Sequence, residues 1–296
     1  MPKATVILSV YNKLDFLAKV LAGFERQTER DFELILADDG SGPAFTEGLP
    51  ALLNATGFAW QHCWHPDEGF RKNKILNEAI RRAGSDYLIF VDGDCIPHKA
   101  FVEEHLRHRA TGVALAGRRL NLPAGLSLRL TPAAIRRGRA ERFHMAYLPA
   151  LLAKDSMIPK GWYTRNRWVL AWANRKPKGI VGCNFSLHRA DMLRINGFDE
   201  RYTQPTIGED TDVEYRLGLA GVTIKSVLHL AVQYHLHHRL LPRPQANLDL
   251  FAQVQQEARA YTPFGIARGA GKGPLHPPSP LPPPSGEEGG AYQRLQ

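Results

Sequence analysis

The sequence predicts an α/β fold in which a mostly parallel central sheet is flanked by helices. Four short apolar runs within residues 1–110 are each followed by a segment with helical periodicity. Such alternation is typical of parallel sheets, because a chain that returns to the same edge of a sheet needs a crossover, usually a helix. Acidic motifs follow two of these runs, at the strand ends where α/β sheets bind their ligands.

The first strand and helix are predicted most directly. Residues 4–10, "ATVILSV", form a short apolar run rich in β-branched residues, which favour strands. In the segment that follows, five apolar side chains recur at helical spacing and form one stripe: Leu14, Leu17, Val20, Leu21 and Phe24. The chain is therefore expected to open with a buried strand and an amphipathic helix that covers it.

The same pattern occurs three more times before residue 110. The expected strands are residues 32–38, 58–64 and 86–92, and the expected helices are residues 43–54, 71–84 and 98–109. Beyond residue 264 the sequence is rich in Gly and Pro and has almost no apolar periodicity, which predicts a disordered tail.

The overall composition is that of a folded protein. The chain has 296 residues, of which 44% are hydrophobic, so it can bury a sizeable core. No apolar run reaches the roughly 18 to 20 residues of a membrane span, and the first ten residues do not resemble a signal peptide. These features predict a cytosolic protein. Three widely spaced cysteines without a C-x-x-C pair predict reduced thiols.

The positive charge is concentrated in one segment. Residues 118–178 contain fourteen arginines and lysines but two acidic residues, in a chain of net charge +9. Tryptophans and tyrosines lie between these basic residues, a composition that suits the interface between water and anionic lipid. The alternatives are that the aromatic residues belong to the core while the arginines are solvated, or that the segment tracks a nucleic-acid backbone.

A buried strand is predicted to end on Asp92 and Asp94, which only Gly93 separates. Two carboxylates that lie close together at such a position repel each other and lose hydration, so a divalent cation is their natural partner. Oxygen ligands favour Mg²⁺ or Mn²⁺, which keep open positions for substrate phosphates. The alternative is that Asp92 caps the turn and Asp94 caps the next helix.

Six segments occur in a fixed order along the chain: "LSVYNKLDFL", "ADDGS", "DEGFRKNKILNEAI", "VDGD", "GCNFSLHRADMLRINGFDERY" and "IGEDTDVEYRLGLAG". Together they resemble the family 2 glycosyltransferases of the GT-A fold, over roughly residues 4–240. The last two segments are most similar to the branch that contains galactosyltransferase-type and chondroitin-polymerase-type domains. The resemblance implies a GT-A fold with four parts: a nucleotide-sugar half (1–110), a basic aromatic-rich insertion (111–178), an acceptor half (179–264) and the tail (265–296).

The resemblance implies that one group of residues binds the donor. Asp92 and Asp94 match the D-x-D motif, which holds a divalent metal on the diphosphate of a nucleotide sugar. Ser9, Asp38 and Asp39 match positions that hold the nucleoside. For the two adjacent aspartates, the sequence leaves an Asx turn before Gly40 as the alternative, and we favour nucleoside contact by Asp39.

Two further groups of residues are assigned more weakly. Arg71 and Lys72 begin a helix whose free N–H groups suit a phosphate, although they could equally lie on a solvated face. Asn184 could orient sugar hydroxyls or make a structural hydrogen bond.

A late histidine often serves as a third metal ligand in related enzymes, and His235 is the expected one, with His237 and His238 as substitutes. In an alternating strand, His235 and His237 lie on one face and His238 on the other. The alternative is an ordinary polar strand end.

The acidic pair Glu209 and Asp210 matches the residues beside the acceptor. The resemblance implies that Asp210 is the catalytic base and that Glu209 orients the acceptor, while Asp212 is assigned to structure. Acidic residues in a first helical turn also complement the helix dipole, which is the structural alternative.

These observations predict an inverting, metal-dependent transferase that uses Mn²⁺ or Mg²⁺. It moves one sugar from a nucleotide diphosphate donor, a UDP-sugar, to a glycan or lipid-linked acceptor in cell-surface polysaccharide or lipopolysaccharide synthesis. Processive synthases carry Q-x-x-R-W after the acidic pair, and that motif is absent. The predicted location is cytoplasmic, with peripheral contact to an anionic membrane and no nucleic-acid partner. The alternatives are a nucleic-acid-binding protein and a pyrophosphorylase, whose G-x-G-T-R start is missing.

Overall fold

A computed structural model describes residues 1–142, 161–176, 178–239 and 243–267. Its strands are β1 (Ala4–Val10), β2 (Phe32–Asp38), β3 (Ala59–Trp64), β4 (Tyr87–Asp92), β5 (Cys95–Pro97), β6 (Val113–Ala116), β7 (Arg118–Asn121), β8 (Asn184–His188), β9 (Thr223–Ser226) and β10 (Val232–His235). Its helices are α1 (Leu14–Phe24), α2 (Pro43–Asn54), α3 (Lys72–Arg82), α4 (Phe101–His108), α5 (Ala124–Arg129), α6 (Pro132–Arg136), α7 (Arg167–Ala173), α8 (Arg189–Arg194), α9 (Glu209–Leu219) and α10 (Gln245–Glu257).

The main sheet has seven strands in the order β3-β2-β1-β4-β8-β6-β9. β1 pairs in parallel with β2 and β4, and β2 pairs in parallel with β3, as the strand and helix alternation predicts. β8 lies antiparallel between β4 and β6, and β9 returns parallel to β6. A smaller sheet has the order β5-β10-β7, with β10 antiparallel to β5 and parallel to β7.

Side chains of β1 alternate between two hydrophobic clusters, one on each face of the main sheet. Val6 and Leu8 belong to the first cluster, which contains the buried stripe of α1 and residues of the smaller sheet. Ile7 belongs to the second cluster, which contains the buried faces of α3 and α9. The core is therefore a layered α/β arrangement, which confirms the predicted fold class.

The predicted helix at residues 98–109 is too long at its start. Helix α4 begins at Phe101, because residues 95–97 form β5 and the His98 backbone N–H donates to Val232 O at 3.0 Å. Residues 95–97 therefore belong to the smaller sheet, because they pair with β10.

Residues 111–178 do not form a separate insertion at their start. The first nine residues from Val113 contribute β6 to the main sheet and β7 to the smaller one. The basic segment is therefore joined to both sheets. Residues 143–160 and 177 lie outside the described residues.

The first three residues of the predicted tail at 265–296 are described together with the domain. The backbone N–H of Ile266 donates to Asn196 O at 2.9 Å, and that of Ala267 donates to Asn196 Oδ1 at 2.7 Å. The remainder of this segment, from residue 268, lies outside the described residues. Within the described ranges, no helix is both long and apolar enough to cross a bilayer.

Candidate active site

A cavity of about 440 Å³ opens at the carboxyl ends of β1 and β4. Neighbouring parallel strands end together there, since Ser9 of β1 is paired in register with Asp92 of β4. The residues that line it are Ser9, Val10, Tyr11, Lys13, Asp39, Asp67, Gly69, Phe70, Lys72, Asp92, Gly93, Asp94 and Pro205. Five of the residues predicted to bind the donor or the metal therefore face one cavity: Ser9, Asp39, Lys72, Asp92 and Asp94.

Asp92 is paired with a lysine. Its Oδ1 atom accepts hydrogen bonds from Ser9 Oγ at 2.7 Å and from Lys72 Nζ at 2.9 Å. Burial acts to lower the pKa of the Lys72 ammonium, but the carboxylates of Asp92 and Glu209 outweigh it and raise that pKa above its ordinary value. Lys72 is therefore a fixed positive charge at the cavity wall.

Asp94 is joined to two histidines. Its Oδ2 atom lies 3.4 Å from His235 Nε2 and 3.0 Å from His238 Nε2, and the two imidazole nitrogens are 3.1 Å apart. Potential ligand atoms of these three residues all lie within 4.8 Å of one another. Burial acts to raise the pKa of the Asp94 carboxyl, but hydrogen bonds with both histidines hold it well below its usual range.

The predicted metal set of Asp92, Asp94 and His235 is thus only partly brought together. Asp94 and His235 are in contact, whereas in the described part of the chain the third member of the cluster is His238. The sequence predicted that His235 and His237 would lie on one face of a strand. That prediction fails because β10 ends at His235, so strand alternation does not apply to the residues after it. The His237 backbone N–H then donates to Ser127 Oγ at 2.9 Å, and its side chain is exposed.

The two aspartates after β2 have separate roles. Asp38 is fully buried, and its carboxylate accepts from Ser41 N at 2.8 Å and contacts His62 Nε2 at 2.9 Å. Asp38 thus bonds to the local backbone, as in the structural alternative, although the donating N–H lies three residues on and not two as in an Asx turn. Its side chain is not among the described residues that line the cavity. Asp39 lines the cavity and contacts His65 Nε2 at 2.9 Å, and burial raises the pKa of its carboxyl.

The backbone N–H of Arg71 is occupied by a carboxylate. This N–H donates to both carboxylate oxygens of Asp39, at 3.1 and 3.0 Å, and the Arg71 guanidinium donates to the Phe70 carbonyl. The Arg71 backbone N–H is therefore taken by Asp39, and phosphate binding by Arg71 stays a prediction. Lys72, the next residue, does face the cavity.

Helix α9 begins with the predicted acidic pair. Gly208 precedes it with φ of 111°, and a Cβ there would lie 2.6 Å from the Tyr202 ring, so this position requires glycine. Glu209 is buried, burial raises its pKa, and its Oε1 atom lies 3.9 Å from Lys72 Nζ. Asp210 is half-buried, and its Oδ2 atom accepts from Gly182 N at 3.1 Å.

Two neighbouring polar residues are structural. Asp212 is fully buried and paired with Arg216, whose Nε donates to Asp212 Oδ2 at 2.8 Å. Asn184 is also fully buried, and its Nδ2 donates to the carbonyls of Arg118 and Ala231 at 3.0 and 2.9 Å. Asn184 therefore has the structural role that the sequence left open.

Some residues of the cavity were not predicted. Tyr11 Oη donates to Asp67 Oδ2 at 2.8 Å, and Lys13 lies on the same wall. The signal was available for Tyr11, since it directly follows the first strand. Asp67 lies in a loop after β3, and Gly40 allows its close approach, because a Cβ at Gly40 would lie 2.6 Å from Asp67 Cα.

Comparison with known proteins identifies the family. The family model "Glycosyl transferase family 2" matches residues 5–130, and the model "N-terminal domain of galactosyltransferase" matches residues 173–239. Together they cover more than half of the chain and include every residue of the candidate site. Residues 5–130 therefore form a family 2 glycosyltransferase domain.

Named relatives of this glycosyltransferase are longer proteins. It is 27% identical over 238 residues to validoxylamine A glucosyltransferase of Streptomyces hygroscopicus subsp. jinggangensis, covering 75% of this chain and 53% of that protein. It is 25% identical over 247 residues to chondroitin synthase of Escherichia coli, covering 78% of this chain and 34% of that protein. The chain thus spans about half the length, or less, of these relatives.

Solved structures confirm the GT-A fold of this glycosyltransferase. The mannosyltransferase PcManGT from Pyrobaculum calidifontis, in complex with GDP-Man and Mn²⁺, superposes with a TM-score of 0.53 at 16% identity, covering 80% of this chain and 58% of that one. TarS from S. aureus gives a TM-score of 0.50 at 16% identity, covering 79% of this chain and 37% of that one. At this level of identity the likeness concerns the fold alone.

Proposed function

We propose that this glycosyltransferase moves a single sugar from a nucleotide diphosphate sugar, a UDP-sugar, to a hydroxyl group of a glycan or lipid-linked acceptor, with inversion at the anomeric carbon. The observation that carries the proposal is the position of Asp94, which lines the donor cavity and also contacts His235 and His238. One residue therefore connects a candidate metal site to a cavity of nucleotide-sugar size.

The donor set at Asp94 fits a divalent metal. One carboxylate oxygen and two imidazole nitrogens lie close enough to share one ion. Imidazole is a ligand for Mn²⁺ and later transition metals, whereas Mg²⁺ prefers oxygen, so we favour Mn²⁺. When bound there, such an ion would supply positive charge to the departing diphosphate. Asp92 is not needed as a ligand in this arrangement, because Lys72 already compensates its charge.

Residues of the chain itself provide the remaining donor contacts. Asp39 and Tyr11 also line the cavity, and a carboxylate and a phenol can contact a base or ribose. Lys72 remains charged at any physiological pH, so its ammonium can also attract the diphosphate. Its contacts with Asp92 and Glu209 link the donor side of the site to the start of α9.

Asp210 is the proposed catalytic base. It lies at the first turn of α9 and is only half-buried. Its Oδ1 atom accepts from Thr211 N at 2.8 Å, and we propose that a remaining lone pair of this carboxylate accepts the acceptor hydroxyl. The hydrogen bond from Gly182 N to Oδ2 orients the carboxylate. In an inverting transfer, the acceptor oxygen bonds to the anomeric carbon from the face opposite the diphosphate, while Asp210 accepts the hydroxyl proton. Glu209 is proposed to orient the acceptor.

A panel of nucleotide sugars tests this proposal. We expect UDP-sugars with Mn²⁺ to raise the melting temperature, because a ligand that binds only the folded state at 100 times its Kd adds about 2.7 kcal/mol of stability. Stabilisation should disappear with a chelator. If no nucleotide sugar shifts the melting temperature with or without metal, the proposed function is wrong.

We also propose that the reaction takes place at the cytoplasmic face of a membrane.

A further inference from the structure

We propose that a second, basic cavity and the exposed tryptophans beside it dock this protein on a bilayer that contains anionic phospholipid. We call these residues the docking surface: Lys99, Arg137, Arg142, Trp162, Trp168 and Trp172. The inference goes beyond the proposed function, because lipid binding requires no nucleotide and no catalysis.

The basic cavity has a volume of about 500 Å³ and is separate from the donor cavity. Among the described residues that line it, the one carboxylate is that of Glu141, and it already has partners. It forms an ion pair with Arg26 and accepts from the Lys99 backbone N–H at 2.8 Å. In the described ranges, no carboxylate pairs with the side chains of Lys99, Arg137 or Arg142, and all three are exposed. Three uncompensated cations around one cavity suit the phosphodiester of a lipid headgroup.

Three exposed tryptophans lie in the segment that borders the basic cavity, one in the cavity wall and two in the helix that follows it. Trp162 lines the cavity and is 62% exposed. In α7, Trp168 and Trp172 are 74% and 66% exposed, and their i, i+4 spacing puts both on one face of the helix. Arg167 lies over the Trp168 ring at 5.1 Å. Tryptophan and arginine side by side are typical of proteins at the level of lipid headgroups.

Hydrogen bonds to the domain fix both ends of the segment that carries the exposed tryptophans. Tyr163 Oη donates to Glu104 Oε1 at 2.8 Å, and Arg165 Nε donates to the same carboxylate at 2.6 Å. At the other end of α7, Asn174 accepts from Leu228 N at 3.1 Å and donates to Leu228 O at 3.3 Å. The domain therefore holds the tryptophans in position while leaving their rings in contact with solvent.

The charge of the surrounding segment selects an anionic occupant. Residues 161–178 contain five arginines and lysines and no acidic residue. We favour a bilayer over a nucleic acid because bulky indoles on one helix face match a lipid interface, where they bury apolar area as well as polar edges.

Docking here would also set the position of the donor site. Successive residues of β10 face opposite sides of the smaller sheet, so Tyr234 lines the basic cavity while His235 belongs to the candidate metal cluster. A bilayer bound on one side of this sheet would therefore hold the donor cavity at a fixed distance from lipid-linked molecules.

The test is co-sedimentation of the full chain with vesicles of phosphatidylcholine alone or mixed with phosphatidylglycerol. One variant removes two tryptophans (Trp168→Ala with Trp172→Ala), and another removes two cations (Arg137→Ala with Arg142→Ala). The matched control, Arg81→Ala with Arg82→Ala, removes two cations from α3, which covers the opposite face of the main sheet. Circular dichroism checks that each variant is folded.

We expect binding to the anionic vesicles alone, and weaker binding as salt screens the surface potential. Removing two interfacial cations should lower the affinity roughly 30-fold, because each is worth about 1 kcal/mol near such a surface. The tryptophan variant should also lose at least about tenfold, and the control should bind like the wild type.

Absence of vesicle binding, equal binding to neutral vesicles, or unchanged binding by both test variants would overturn the proposal. Salt-sensitive binding to a single-stranded oligonucleotide without vesicle binding would also overturn it. Since the assay contains no nucleotide sugar, its failure would leave the proposed transferase function untouched.

Discussion

Asp92 and Asp94 have different partners although only one residue separates them. Asp92 bonds to Ser9 and Lys72, whereas Asp94 contacts His235 and His238. The turn between them is tight, since a Cβ at Gly93 would lie 2.9 Å from Val10 Cγ1 and 3.0 Å from Ser9 O. Repulsion between the two carboxylates is thus relieved by a lysine on one side and by imidazoles on the other.

The first prediction separates Asp210 from Asp212. Asp210→Asn keeps the size of the side chain and removes the proton acceptor, so the chemical step should slow by roughly 10²- to 10⁴-fold while donor binding and melting temperature change little. Asp212→Asn breaks a buried ion pair with Arg216 and should lower stability by roughly 3–5 kcal/mol. Turnover of the donor and urea unfolding measure the two effects.

Glu209→Gln completes this comparison. It should weaken acceptor use more than donor binding, because the buried Glu209 carboxyl adjoins Asp210 and is not among the described residues that line the donor cavity. Near-normal turnover in Asp210→Asn together with loss in Glu209→Gln would transfer the role of base to Glu209.

At the scale of single residues, the sequence predicted several of the side chains that line the cavity but not how they pair with one another. The ends of parallel strands meet at one edge, so Ser9, Asp39, Asp92 and Asp94 could be grouped from strand positions. The bond between Lys72 and Asp92 depends on how α3 packs on the sheet, which periodicity does not specify. His238 was a substitute in the prediction, because the point at which β10 ends is not visible in the sequence.

At the scale of elements, α4 anchors the basic segment to the domain. Glu104 is fully buried, accepts from Tyr163 Oη and Arg165 Nε, and lies 3.3 Å from His108 Nε2. Burial acts to raise the pKa of its carboxyl, but these hydrogen bonds lower it from 4.5 to about 2. The neighbouring Glu103 also bonds Arg165 but is partly exposed.

The second prediction concerns acid stability. Because the folded-state pKa of Glu104 lies below its ordinary value, the unfolded chain binds more protons between pH 4.5 and 2. The contribution of Glu104, on the order of 2–3 kcal/mol, should be complete above pH 4.5 and be lost as the pH falls through this window. Urea unfolding of the wild type and of Glu104→Gln at a series of pH values measures it.

Glu103→Gln is the matched control for this measurement. It removes a carboxylate bonded to the same arginine, but from a partly exposed position, so its effect on stability should stay within about 1 kcal/mol. If Glu104→Gln had the same acid dependence as the wild type, the proposed anchoring role of Glu104 would be refuted.

Long elements could be predicted from the sequence, and short ones could not. The first four strands and the helices α1, α2 and α3 carry clear apolar periodicity, and the structure confirms them. β5 and β7 have three and four residues, "CIP" and "RRLN", without apolar alternation. They are strands because β10 pairs with both, and such tertiary pairing overrides local propensity.

At the scale of the whole molecule, the central sheet joins the donor and acceptor halves that the resemblance implied. β8 and β6, from the second half and from the predicted insertion, extend the sheet beyond β4. The GT-A fold was therefore predictable from the order of motifs, whereas the boundary at residue 111 was not, because the chain crosses it within the sheet system.

Charge is distributed over the molecule in two regions of opposite character. Four aspartates line the donor cavity: Asp39, Asp67, Asp92 and Asp94. The basic cavity lies on the other side of the smaller sheet, and in the described ranges its Lys99, Arg137 and Arg142 side chains have no carboxylate partner. The net charge of +9 therefore does not describe the local charge at either cavity. The donor cavity is expected to attract a metal cation, and the basic cavity an anionic group.

Calorimetric titration of UDP with and without Mn²⁺ tests the central claim most directly, namely that Asp94, His235 and His238 hold a metal on the donor diphosphate. Wild-type protein should bind UDP at least about tenfold more tightly with Mn²⁺, a difference of about 1.4 kcal/mol. Asp94→Asn and His238→Ala should lose this metal dependence, while His237→Ala, whose side chain is exposed outside the cluster, should keep it. Equal affinity with and without Mn²⁺ in the wild type, or metal dependence retained in both Asp94→Asn and His238→Ala, would contradict the account.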